Sequence, residues 1–247
     1  MKKNLISDAI ADINLAYVEQ ASNYKPVAHK ARHTRVIAAV VAAVILTVTA
    51  FAAGGLLTAS DIANRAGETT LAEYFENGGG EAWSIESQTS GGYTITILGI
   101  ASGDDLSTYD DEIGIDATYI VGSIERADGE AIADYTDIMV SPVISGYEPW
   151  LVNIFTLGNG SRHKFIQDGV EYFLVETTNV TIFADHTVYI AAYSGYLAPT
   201  SDVYSLNDDG TISIVEGGEV VATLFELPLD KSLADPEAAE ALIASIR

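Results

Sequence analysis

The chain contains no cysteine in 247 residues. That absence excludes thiol nucleophiles, cysteine-ligated zinc and iron–sulfur clusters, and it removes the residue on which a bacterial lipoprotein anchor is built. It also excludes disulfides, so any part of the chain outside a cell must be held together by its own core. Positive charge is scarce as well: 12 Lys/Arg stand against 35 Asp/Glu, for a net charge of −23. Histidine is nearly missing from the long C-terminal part, where only His163 and His186 occur. Neither sits in a recognisable nucleophile setting, and the chain holds no G-x-S-x-G and no H-E-x-x-H motif.

The few basic residues are unevenly placed. Residues 1–35 carry six of them (Lys2, Lys3, Lys25, Lys30, Arg32, Arg35) against Asp8, Asp12 and Glu19, a balance of +3. The remaining chain carries six against 32 acids, a balance of −26. Between the two regions lies an uncharged run from Val36 to Ser60. Its apolar stretch, 36–57, has a helical length of about 33 Å, enough for a bilayer core of about 30 Å. Basic residues flanking one end of such a span stay in the cytoplasm. The sequence therefore predicts a single-pass cell-membrane protein, N-terminus inside and the acidic remainder outside. Ala50-Phe51-Ala52 also reads as a signal-peptide cleavage site, although 35 residues before the apolar run is long for a signal. The Ala39/Ala43 and Ala50/Gly54 spacings permit close approach of a second helix.

The predicted organisation has four parts: a cytoplasmic segment at 1–35, the membrane helix at 36–57, a juxtamembrane spacer at 58–82 and an acidic β domain at 83–247. Residues 4–20 place Leu5, Ile6, Ala9, Ile10, Ile13 and Tyr17 at helical spacing. Such an amphipathic helix suits the inner leaflet or a cytoplasmic protein partner. The spacer carries short helical pieces, with Ser60 and Thr69 or Thr70 as candidate caps and Gly78-Gly79-Gly80 as a stop.

From Trp83 the period becomes two. Strands are expected at Tyr93–Ile97, Thr118–Ile124, Tyr172–Val175, Val180–Phe183, Val188–Ala192, Thr211–Val215 and Val220–Phe225. Turn signals separate them, among them Ser90-Gly91-Gly92, Asp128-Gly129, Gly158-Asn159-Gly160, Asp168-Gly169, Asp208-Asp209-Gly210 and Gly217-Gly218. The fold class is thus mainly β: an antiparallel β-sandwich, Ig-like or an open barrel. A short C-terminal helix follows, capped by Asp235 with Pro236 at its first position and Leu242, Ile243 and Ile246 as its apolar stripe.

Several pieces resemble a family of single-pass surface proteins of Gram-positive bacteria whose outer β domain has no assigned function. They are Leu5-Ile6-Ser7-Asp8-Ala9-Ile10, the basic flank and anchor, Gly92-Tyr93-Thr94-Ile95-Thr96-Ile97, and the ending Phe225-Glu226-Leu227-Pro228-Leu229-Asp230-Lys231-Ser232-Leu233-Ala234-Asp235-Pro236-Glu237-Ala238-Ala239. The resemblance covers both ends and the first part of the β region. Some similar architectures serve as membrane anti-sigma factors or envelope-stress sensors. This N-terminal segment lacks the zinc-ligand His and Cys pattern of one class of anti-sigma domain.

Candidate chemistry is sparse. Asp104, Asp105, Asp110, Asp111, Glu112 and Asp116 form the densest acidic cluster, and carboxylates on a flexible loop suit calcium. Their spacing matches no ligand loop, so the calcium reading competes with that of a solvated acidic loop. Ser205 to Glu216 mimics a calcium loop at several positions but begins with Ser and is flanked by strand-like residues; a hairpin turn at Asn207–Gly210 fits better. Leu197-Ala198-Pro199-Thr200-Ser201 fails as a sortase signal because its Pro is misplaced and no apolar tail follows. A balance of −26 repels nucleic acid as an outer partner. The expected function is a membrane-anchored extracytoplasmic sensor or module for an envelope ligand, possessing no enzymatic activity and acting on a cytoplasmic partner such as a sigma factor through residues 4–20. The alternatives are a passive surface or adhesion protein, and an enzyme of the cell envelope.

Overall fold

Hairpins organise the chain from its first strand. The computed structural model describes residues 56–79, 85–106, 116–158, 160–215 and 220–246, all within one compact unit, Ala43–Arg247. The amphipathic segment 4–20, the apolar run up to residue 55 with its cleavage-like Ala50-Phe51-Ala52, and Asp110, Asp111 and Glu112 lie outside the described residues. Among the described residues, no helix is long and apolar enough to cross a membrane.

The protein is mainly β, and every strand pairing is antiparallel. Five strands form the larger sheet in the order β1-β2-β3-β6-β5: β1 (Glu86–Ser90), β2 (Tyr93–Ser102), β3 (Ala117–Arg126), β6 (Val170–Thr178) and β5 (Ser161–Gln167). Three form the second sheet in the order β10-β7-β4: β10 (Ala222–Glu226), β7 (Val188–Ser194) and β4 (Ile138–Ile144). A small hairpin joins β8 (Tyr204–Leu206) to β9 (Ile212–Ile214). Turn chemistry sets the register. Asp168 at φ 53° and Gly169 at φ 81° occupy the two left-handed positions of a two-residue hairpin, so Gln167 faces Val170 and the ladder continues to Ser161 opposite Glu176.

The main core lies between the two sheets. Ile95, Ile120, Ile124, Phe173 and Val175 of the larger sheet meet Val140, Ile190, Ala192 and Phe225 of the smaller. The C-terminal helix α4 (Pro236–Ile246) adds Ala239 and Ile243. Asp235 caps it as expected, its Oδ1 accepting the Ala238 N–H at 3.0 Å. A second, separate cluster lies on the outer face of the larger sheet, under α1 (Ala59–Ala66) and α2 (Thr69–Glu76). Here Ile62, Leu71 and Tyr74 cover Tyr119, Val121, Phe165, Tyr172 and Leu174. The helical pieces of the expected spacer are thus part of the fold, packed on the sheet. Thr58 rather than Ser60 caps α1, in a capping box with Asp61.

A β-bulge at Leu98 allows β2 to serve both clusters. Before it, Ile95 and Ile97 face the inter-sheet core; beyond it, Ile100 takes that side and Ala101 faces the helices. One extra residue inverts a period-two pattern, which is why the apolar residues of β2 change parity midway. The outward positions of both smaller-sheet edges are met by side chains. Gln88 of β1 accepts the Leu224 N–H at 3.2 Å and donates to the Leu224 carbonyl at 2.7 Å, while Ser90 Oγ accepts the Ala222 N–H at 3.0 Å. At the other edge, Lys164 Nζ of β5 donates to the Ile138 carbonyl of β4 at 2.9 Å.

One expectation needs correction, and two strands lie where the sequence predicts none. Val180–Phe183 is a 3₁₀ turn and not a strand: Asn179 Oδ1 accepts the Thr181 N–H at 3.0 Å, and Val180 and Phe183, three residues apart, both turn inward. Strand β4 escaped notice because Ile138–Ile144 is buried on both faces, shows no alternation and contains Pro142, which an edge strand tolerates. Strand β5, Ser-Arg-His-Lys-Phe-Ile-Gln, is a polar edge whose sequence resembles a loop.

Buried phenols give the fold an alkaline limit. Tyr204 is fully buried, and its hydroxyl lies 3.1 Å from the Ala192 carbonyl and 3.0 Å from that of Thr223. Burial pushes Tyr204 and Tyr193 well above the usual phenol range. Tyr119 is pushed up to about 12, by burial first and then by Glu176 and Glu68. Phenols whose folded pKa is raised contribute stability that is complete below their unfolded value near 10 and is lost as pH rises through the folded value. Denaturation midpoints should therefore hold steady up to about pH 10 and fall between about pH 10 and 12. Tyrosinate absorbance should lag behind that of the unfolded chain over the same range.

Candidate functional site

Of the acidic cluster singled out in the sequence, Asp104, Asp105 and Asp116 lie among the described residues. Asp104 and Asp105 fall in a four-residue helix, α3 (Gly103–Leu106), and Asp116 precedes β3 with its carbonyl accepting the Asn179 N–H at 2.7 Å. Among the described residues, no group of three or more His, Cys, Asp or Glu is placed to hold a metal ion. The calcium-loop mimic is a hairpin: Asp209 Oδ1 accepts the Thr211 N–H at 3.0 Å and its hydroxyl at 2.6 Å, bonds that hold the Asp209 carboxyl below its usual range. His163 is exposed on β5 beside Phe165. His186 Nδ1 lies 2.8 Å from the Ser145 carbonyl, and Ser145 Oγ accepts the Thr187 N–H at 2.8 Å. The Ser145 and His186 side chains are thus engaged with backbone and are not joined as nucleophile and base.

A charged clasp sits on the β4–β5 edge. Glu171 of β6 shares the inward parity of Phe173 and Val175 and is fully buried. It forms an ion pair with Lys164 and accepts the Thr136 N–H at 2.6 Å and the Thr136 hydroxyl at 3.2 Å. Burial lowers the Lys164 pKa, opposed by its bond to Glu171. Every strong donor and acceptor in this clasp faces another, so it ties the sheets and leaves no free group for chemistry.

Beside the clasp the surface carries exposed aromatic and apolar groups. Tyr135 is 60% exposed and its hydroxyl donates to the Lys164 carbonyl at 3.3 Å. Tyr196 and Leu197 are 70% and 76% exposed; the Leu197 carbonyl accepts the Tyr193 hydroxyl at 3.0 Å, and the neighbouring Gly195 N–H bonds the Asp137 carbonyl at 2.7 Å. Arg162, against Met139, has no carboxylate partner among the described residues, in a chain with 35 acids. Aromatics with an unpaired arginine match the composition of contact surfaces. Sequence reading missed this patch because its members are far apart along the chain; Arg162 flanked by polar residues carried no signal of its own.

The third feature lies where the apolar run ends. Leu56 and Leu57, its last two residues, have no regular secondary structure and pack half-buried on the cluster beneath α1 and α2. The Leu57 N–H donates to the Tyr172 hydroxyl at 3.3 Å. Tyr172 stacks on Phe165 at 5.4 Å, and the Arg65 guanidinium of α1 lies 4.5 Å above the Phe165 ring while bonding Gln167. The last two residues of the run thus belong to the folded domain. No family model matches the chain, and searches among curated proteins and solved structures likewise returned no match.

Proposed function

We propose that the chain is a membrane-anchored extracytoplasmic sensor or ligand-binding module. In this reading 36–57 is the membrane anchor, residues 4–20 dock on a cytoplasmic partner such as a sigma factor, and the acidic β domain, a sandwich closed like an open barrel by its edge side chains, stands outside the cell. The supporting observation is the seating of Leu56 and Leu57 on the sheet through Tyr172, which leaves no loose spacer between run and domain. A displacement of the domain is then delivered to the anchor instead of being absorbed by a linker. The patch of Tyr135, Tyr196, Leu197 and Arg162 is the surface for the envelope ligand.

Co-purification from membranes of the native host tests the reading, comparing the full chain with one lacking 4–20. The full chain should bring down a cytoplasmic regulator that the deletion loses. If both forms bring down the same envelope components and nothing cytoplasmic, the protein is a passive surface module.

A further inference from the structure

The two hydrophobic clusters share no residue. The inter-sheet core draws on strands, loops and α4, with no member from α1 or α2, whereas the outer cluster is built by those helices and Leu106 against the sheet. Each helix has eight residues, too short to persist in water alone. Polar ties between this layer and the sheet include Arg65 to Gln167 and over Phe165, and Leu57 to Tyr172. A part of a fold whose apolar cluster is separate from the main core opens at lower free energy than the whole.

Gly99 is the seat of this layer. A Cβ there would lie 2.8 Å from Phe75 Cε1 of α2 and 2.9 Å from Ala59 Cβ of α1. Both helices approach the sheet because this one position, just past the bulge, has no side chain.

We infer that α1–α2 is a releasable strap, which leaves the larger sheet as a unit while the two-sheet body stays folded. Release uncovers the apolar face of Tyr119, Val121, Phe165, Tyr172 and Leu174 and frees Arg65 from its ring. Its use in signalling rests on 36–57 being a membrane anchor, but the release itself does not.

Trypsin reads the event directly, because Arg65 is the sole Lys/Arg between Arg35 and Arg126. In the full chain under native conditions, cleavage after Arg65 should be faster than loss of the β body and nearly independent of low denaturant. Gly99→Val should accelerate it at least tenfold while Arg126, Arg162 and Lys164 stay uncut. Two truncations guard against simple misfolding. Ile62→Ala, within α1, should speed the cut and leave the urea midpoint of the β body unchanged, whereas Phe173→Ala, within the inter-sheet core, should lower that midpoint and leave the cut in low denaturant unchanged. The inference is overturned if wild-type cleavage at Arg65 shows the denaturant dependence of global unfolding, or if Ile62→Ala and Phe173→Ala change the cut and the urea midpoint in parallel. The cytoplasmic co-purification is a separate readout, so either proposal can fail alone.

Discussion

Replacing Lys164 by methionine is expected to destabilise the fold by about 3–5 kcal/mol, because it leaves the Glu171 carboxylate without its counter-charge in a site of 0% exposure. Against a total of roughly 5–15 kcal/mol for a domain, that is a large fraction. The loss is a penalty for the abandoned charge and does not measure the worth of the intact pair. Lys164→Met combined with Glu171→Leu should therefore recover most of it, short of the contribution from Thr136, whose N–H loses its acceptor at 2.6 Å. Urea denaturation of the two variants separates these cases. A cost below about 1 kcal/mol for the single variant would place the ammonium among exposed ion pairs and end the account of a buried clasp.

Phe173→Ala should cost about 3–5 kcal/mol, since the ring is fully buried between the sheets and its loss opens a cavity that the ladders on both sides keep from collapsing. The ring lies over Gly122, where a Cβ would come within 2.4 Å of Phe173 Cζ. Refilling the space from that side fails, because the same Cβ would also lie 2.4 Å from the Thr96 carbonyl oxygen, which belongs to the neighbouring strand. Phe173→Ala with Gly122→Ala should thus be less stable than Phe173→Ala alone. Thermal or urea melts of both give the order, and a rescue by the added methyl would show that β2 and β3 yield more than a paired ladder does.

How much of this was readable in advance follows from what each residue does locally. The hairpins at Ser90-Gly91-Gly92, Asp168-Gly169 and Asn207–Gly210, and the capped C-terminal helix, are specified by short-range chemistry, and the structure places them where the sequence predicts. The strands that escaped notice owe their state to distant neighbours: β4 is buried on both faces, and β5 is a strand because β6 pairs with it. The Lys164–Glu171 clasp has a signal in the sequence. Glu171 falls on the same parity as Phe173 and Val175, and Lys164 on that of Ile166, so two charges of opposite sign sit on the core side of adjacent strands. The surface patch at Tyr135, Arg162, Tyr196 and Leu197 has none, since only the packing of the two sheets brings those segments together.

The side chains that close the sheet edges have a further effect on how such molecules meet one another. An open edge is a template on which a second chain can add a strand. Here Ser90 and Gln88 occupy the outward groups of Ala222 and Leu224, Lys164 occupies the carbonyl of Ile138, and Pro142 offers no N–H. The same residues that join the sheets thus cap these edges against intermolecular strand addition. Domains carrying them can be crowded side by side without seeding aggregates through β4 or β10.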